Sequence, residues 1–385
     1  GCRGPGTGRA RGEGGEAALR SGAGRKGGGG AEATRGGTGE RATGAGGAAL
    51  GGRAGEGVEW AGTWAAVGGG TCYKQKPPRR SNAGADDARR RRDPMTIADP
   101  FHVEGPACIS VSGGRSSGLM LYRIIEAHGG ALPADVHCVF ANTGEEAEGT
   151  LVFVREMSRR WNVSIRWVEF TAERRADLPA DFGHWREVDY CSASRAGEPF
   201  DAMVEWKKYL PNHTQKLCTE WLKVRALSGF MASLGYTPSE PATKADAYKP
   251  GDFDQVIGIR ADEPIRVAKN AWKDDVLLPL NAARVNRADV AAFWSAQPFD
   301  LQIPTGEGNC RVCFEKGLEQ LVNVIRDSPD GGGVDRWIAR EERRGAVMRK
   351  GHPYARTAAR ARGQLPMWEP AMVEDVDMRP CACGD

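Results

Sequence analysis

The residues that decide the fold are Ala107-Cys108-Ile109-Ser110-Val111, followed by Ser112-Gly113-Gly114-Arg115-Ser116-Ser117-Gly118 and then Leu121, Ile124 and Ile125. Five mostly apolar residues make a strand of ordinary length, and the spacing i, i+3, i+4 after the glycines makes a helical stripe. A strand, a Ser/Gly loop and a helix in that order put backbone N–H groups at a helix N-terminus. That geometry suits phosphate or pyrophosphate. Gly113 and Gly114 allow close backbone approach, while Ser112, Ser116 and Ser117 offer hydroxyls. A plain Ser/Gly turn ahead of a capped helix would read the same way. The text fits neither GxxxxGK[ST] nor GxGxxG.

Outward from this stretch, strands and helices alternate. Strand-like segments cover 136–141, 164–170, 255–259 and 276–280, and helix-like segments cover 150–161, 198–209, 219–234, 287–295, 315–326 and 335–344. This alternation predicts an α/β fold with a Rossmann-like, doubly wound, mostly parallel sheet and helices on both faces. A helical C-terminal region is expected beyond Pro329, running into a Pro- and Arg-rich tail over 330–385, with the nucleotide-binding domain at 95–329.

Residues 1–94 are different in kind. They hold 28 of the 52 Gly of the 385-residue chain and carry 17 basic against 9 acidic side chains, whereas the remainder carries 36 basic against 41 acidic. Such Gly/Arg/Ala-rich text has no core-forming period and is expected to be a disordered extension. A basic arm that contacts nucleic-acid phosphates is the functional counterpart of that reading. No run approaches the ~20 apolar residues of a membrane span, and the expectation is a cytoplasmic protein with no membrane partner.

Several motifs in order, ISVSGGRSSGLML, VFANTGEE, LCTEWLK, VIGIRADEP and GNCRVCFEKG, resemble the phosphoadenosine-phosphosulfate (PAPS) reductase family. That family lies within the adenine-nucleotide α-hydrolase (PP-loop) superfamily, and the likeness extends to its phage-type relatives. The resemblance covers roughly Cys108 to Pro329. It implies binding of an adenine nucleotide (PAPS, adenosine phosphosulfate or ATP) and thiol-dependent reduction of the sulfate group, with a thioredoxin-like reductant as partner. The ATP-splitting branch usually carries Asp where Ser116 stands, and this departure favours the reductase branch. The alternatives are ATP-dependent adenylation with sulfur transfer to a nucleic acid, and a non-catalytic nucleotide-binding relative.

By the same resemblance, Ser112, Gly113, Gly114, Arg115, Ser116 and Ser117 hold the phosphate or sulfate end, and Asn142 and Thr143 lie beside the adenosine. Arg260, in GIRADE, supplies an anion-binding guanidinium with bidentate geometry, and Lys223 sits where related reductases place a lysine. Glu145 and Glu146 read equally well as charges favoured at a helix N-terminus.

The ten cysteines suggest thiols or metal. Iron–sulfur members of the family use a Cys-Cys pair and a later CxxC. Here Cys218 matches the first, Thr219 replaces its neighbour, and Cys310 and Cys313 form the CxxC. With Cys191 as replacement, four thiolates would suit an iron–sulfur cluster or structural zinc. A reducible dithiol, or two buried small hydrophobes, is the other reading of the CxxC. Cys383, in the terminal CACGD, matches the family's Cys-Gly nucleophile, although the rest of that tail is absent. Cys108 and Cys138 read as core, and no histidine is assigned a role.

Overall fold

The computed structural model describes residues 99–240, 248–303, 307–308 and 310–364. All of them belong to one compact unit, residues 76–385. The segment 1–94, Cys381 and Cys383 lie outside the described residues.

In chain order the elements are β1 (Ala107–Val111), α1 (Arg115–Ala127), β2 (Val136–Asn142), α2 (Glu148–Arg160), β3 (Ile165–Phe170), β4 (Trp185–Val188) and α3 (Glu198–Lys207). A π-helical turn (Cys218–Val224), α4 (Arg225–Ser233), β5 (Asp254–Ile257), α5 (Pro264–Asn270), β6 (Val276–Leu277) and α6 (Pro279–Ala282) follow. The chain then forms α7 (Arg287–Ser295), α8 (Leu318–Asp327), α9 (Val334–Arg344) and α10 (Tyr354–Ala361).

Six strands lie in the order β4-β3-β2-β1-β5-β6. Every pairing is parallel except β3 with β4, where Trp167 faces Val188 and Phe170 faces Trp185. The expected doubly wound α/β architecture is present. Period-2 alternation divides the strand residues between two cores. Ala107, Ile109, Val111, Val136, Cys138, Phe140 and Val256 pack with residues of α1, α2 and α7, including Leu121, Leu151, Met157 and Trp294. Cys108, Val139, Ala141 and Val168 face the other way, onto Ala226, Phe230 and Met231 of α4. Cys108 and Cys138 are therefore core residues on opposite faces, and burial pushes the Cys108 thiol up to about 12.

A third core joins Phe200 and Met203 of α3, Trp221, Val312 and Phe314 to Leu321, Trp337 and Tyr354 of α8, α9 and α10. Residues 330–364 supply α9 and α10, the helical C-terminal region expected. They are part of the same unit, because α9 and α10 place Trp337 and Tyr354 almost wholly out of water. The strand expected over 276–280 is short, since Pro279 opens α6. The single helix expected over 219–234 begins as a π turn and becomes α-helical at Arg225.

Candidate functional site

Reversal of strand order occurs between β1 and β5, and in open α/β sheets the crevice at such a reversal, beyond the carboxyl ends of the strands, is where ligands bind. The loop after β1 occupies one wall. Ser117 Oγ donates to the Gly114 carbonyl at 2.9 Å and accepts from the Ser112 amide at 3.1 Å and the Ser112 hydroxyl at 3.0 Å. Ser112 and Ser117 thus pin the loop in shape. Gly113 has φ +77°, and a Cβ there would stand 2.5 Å from Thr150 Cγ2. Only glycine fits both demands. α1 starts at Gly114 with no side-chain cap and no acidic residue in its first turn. Its positive end therefore carries no carboxylate of its own first turn.

The loop after β5 forms the other wall. Arg260 is buried, and its Nη1 donates to Ser116 Oγ at 3.0 Å, while its Nε donates to Asp262 at 2.9 Å. A Cβ on Gly258 would come 3.1 Å from Ser117 Cα, so the two loops approach closely. The structure thus unites the Ser/Gly loop and Arg260, which are separated by more than 140 residues in sequence.

Two expected binding residues are engaged elsewhere. Arg115 donates through Nε and Nη2 to the two carboxylate oxygens of Asp300, both at 2.8 Å, and to the Leu301 carbonyl at 3.1 Å. This places its guanidinium on the 300–301 segment. Asn142 is fully buried. Its Nδ2 donates to Glu169 at 2.6 Å and to the Ser194 carbonyl at 2.9 Å, and its Oδ1 accepts from the Gly144 amide at 3.2 Å. Every polar atom of that side chain is satisfied inside the protein, so Asn142 supports the site from below.

Because Val111 pairs with Phe140, the loop after β2 lies level with the Ser/Gly loop. The Thr143 amide and hydroxyl both donate to Glu146, at 3.0 and 2.7 Å, and the hydroxyl lies 3.5 Å from Cys310 Sγ. Glu146 and Cys310 form an antiparallel bridge, and the Arg311 amide donates to the Glu145 carbonyl at 3.1 Å. Glu145 and Glu146 are not surface helix charges, since α2 starts only at Glu148 and both side chains are buried. Glu145 accepts from Arg340 at 2.6 Å and from Arg336 and Trp337 Nε1 at 3.2 Å each. Nothing in the local sequence pairs Glu145 with Arg340; the only hint is that Trp337 and Arg340 share a helix face with Val334.

The π turn adds Cys218 and Lys223. In an α-helix five residues carry a side chain about 140° past a full turn, whereas i→i+5 bonding stacks positions five apart. Both residues act on Cys310 electrostatically. Burial, chiefly, and then the Glu146 carboxylate push the Cys310 thiol up; Lys223 and the Thr143 hydroxyl oppose this, and Cys218 adds to it. Burial likewise raises the Glu146 carboxyl, with Lys223 and Thr143 pulling it back.

The four expected metal ligands do not assemble. Among the described residues, Cys108, Cys138, Cys218, Cys310 and Cys313 carry reduced thiols. Cys191 sits exposed in a turn closed by Asp189 accepting from the Ser192 amide at 2.7 Å. Among the described residues no group of three or more His, Cys, Asp or Glu could hold a metal ion, so this set fits neither a cluster nor zinc. Also among the described residues, no helix is long and apolar enough to cross a membrane.

No family model matches the chain. It is similar to the uncharacterized nin region protein ORF290 of Escherichia phage lambda, at 30% identity over 247 residues, which span 63% of this chain and 76% of that relative.

Proposed function

The chain belongs to the family of that phage nin region protein, and we propose that it is a sulfonucleotide reductase-like enzyme with its nucleotide seated in the β1/β5 crevice. The observation that carries the proposal is the hydrogen bond from Arg260 Nη1 to Ser116 Oγ, 3.0 Å. It sets a guanidinium beside the uncapped start of α1, so a fixed positive charge and a helix dipole converge on one anion position. The phosphate or sulfate end of an adenine nucleotide, PAPS or adenosine phosphosulfate, occupies that position. The Thr143–Glu146 loop, with Cys310 and Lys223, lines the neighbouring side, where a sulfur-directed thiol is required. The resemblance supplies the sulfate reduction, and a thioredoxin-like protein is the reductant that restores the thiols.

Thermal-shift titration of the full chain with PAPS, adenosine phosphosulfate and ATP tests this. A ligand at a hundred times its dissociation constant stabilises by about 2.7 kcal/mol. Stabilisation by a sulfonucleotide, abolished by Gly114→Val, is the expected result, because a side chain at the N-cap blocks approach of the anion. Stabilisation by ATP alone would transfer the assignment to adenylation and sulfur transfer, and no shift with any of the three would reject the nucleotide site.

A further inference from the structure

The CxxC has the geometry of a dithiol. The Cys313 amide donates to the Cys310 carbonyl at 3.4 Å, closing a four-residue turn, and such a turn holds its end Cα atoms within about 7 Å of one another. Disulfides span Cα separations of about 4.4–6.8 Å, so a bridge here requires side-chain rotation and little backbone movement. Both residues carry reduced thiols. Their surroundings differ. Cys310 is half-buried, 3.5 Å from the Thr143 hydroxyl, on the segment that pairs with Glu146 beside the crevice. Cys313 is buried behind it, next to Val312 and Phe314 of the third core. A half-buried cysteine at the crevice and a buried one three residues on, joined by a turn, is an arrangement in which one thiol attacks and the other resolves the mixed species.

We propose that Cys310 and Cys313 are the electron-donating dithiol of this protein, Cys310 attacking and Cys313 resolving. The catalytic part rests on the nucleotide reading above. Cys310 Sγ bonds to the sulfuryl sulfur as the bond from that sulfur to the nucleotide phosphate oxygen breaks. The nucleotide leaves with the electron pair and takes up the Cys310 proton. Cys313 Sγ then bonds to Cys310 Sγ as the bond to the sulfite group breaks, and sulfite leaves with that pair and the Cys313 proton. The dithiol has become a disulfide, and the sulfuryl group has gained two electrons. A thioredoxin-like dithiol protein reduces the bridge and is itself oxidised to a disulfide.

The test uses the anaerobically purified full chain, equilibrated in glutathione buffers of stepped redox ratio, alkylated and digested with trypsin. Cleavage after Arg311 separates the two cysteines, so a bridge appears as a linked peptide pair. A reversible Cys310–Cys313 link, absent from Cys310→Ser and Cys313→Ser, is expected. No link across the series, a link from Cys310 to Cys218 instead, or zinc or iron bound stoichiometrically and lost in Cys310→Ser would overturn the dithiol. This measurement contains no nucleotide, so it fails or succeeds independently of the thermal shift. With a sulfonucleotide that binds, Cys313→Ser is expected to accumulate a sulfonate adduct on Cys310. An adduct on another cysteine would remove Cys310 from the attacking role.

Discussion

The parallel sheet and the helices α8 to α10 both bury large aromatic side chains, but they are held together differently. Around the sheet, Phe140 packs on Trp167 and Phe153 on Trp294, the strand ladder supplies most hydrogen bonds, and Glu169 and Arg260 are buried near the carboxyl ends of the strands. In the C-terminal region the same kind of core is interleaved with buried charge. Arg340 and Glu341 of α9 lie out of water, as do Lys316 and Arg349. Each has a protein partner: Arg340 on Glu145 and Asp201, Glu341 on the Met348 and Tyr354 amides, Arg349 and Lys316 on backbone carbonyls. The difference is one of tolerance. Trimming an apolar side chain costs roughly the area it had buried, whereas a buried charge deprived of its partner incurs the full cost of desolvation.

The largest expected effect breaks the charged half. Arg340→Met leaves Glu145 buried with its principal partner gone, and breaking such a pair costs about 3–5 kcal/mol. Because Glu145 is adjacent to Glu146 and bonded through its carbonyl to Arg311, the substitution should also loosen the approach of Thr143 to Cys310. Urea unfolding measures the first effect and alkylation rate at Cys310 the second. Adding Glu145→Gln to Arg340→Met should recover a large part of the stability. If the single variant unfolds like the wild type, the charge network is not what holds α9.

An intermediate effect probes the sheet half. Gly113→Ala places a side chain at φ +77° and against Thr150, and a residue held in such a conformation costs on the order of 1–3 kcal/mol. Its damage should stay local. Nucleotide-dependent thermal stabilisation is expected to vanish, whereas Cys310 alkylation should remain as in the wild type. A matching change at Cys310 would mean that the two walls are one mechanical unit.

The smallest effect lies between the two regions, at Glu146. Burial raises its carboxyl in the folded chain, so the folded state holds this proton at pH values where the unfolded state has released it. Stability from this group therefore declines as pH rises from the ordinary carboxylate value, about 4.3, through the folded value, and is level above it. Glu146→Gln should flatten that decline. Comparing denaturation midpoints of the two proteins from pH 4 to pH 8 checks the sign, and a variant curve steeper than the wild type would contradict it.

Much of the sheet is legible in the residues themselves. β1 at Ala107–Val111 and α7 at Arg287–Ser295 stand where the apolar pattern puts them, and β2, β3 and α2 begin or end within a residue or two. Buried parallel strands are near-continuous apolar runs, so they announce themselves. β4 does not, because Trp-Arg-Glu-Val at the sheet edge buries little beyond Trp185. The internal partners of Arg115 and Asn142 are hidden for a related reason. Residue type shows what a side chain can bond, and only the fold shows that Asp300 and Glu169 are already there.

By itself the sequence determined the alternation of strands and helices and the glycine loop after β1. These follow from local periodicity and from backbone conformations that few residues adopt, so neighbouring residues suffice to specify them. Tertiary structure alone decided that Cys191 sits exposed in a turn, that Cys310 meets Thr143, and that Arg340 reaches across 195 positions to Glu145. Those interactions join residues distant along the chain, and their energy depends on burial and on the partner's position, neither of which a local pattern encodes.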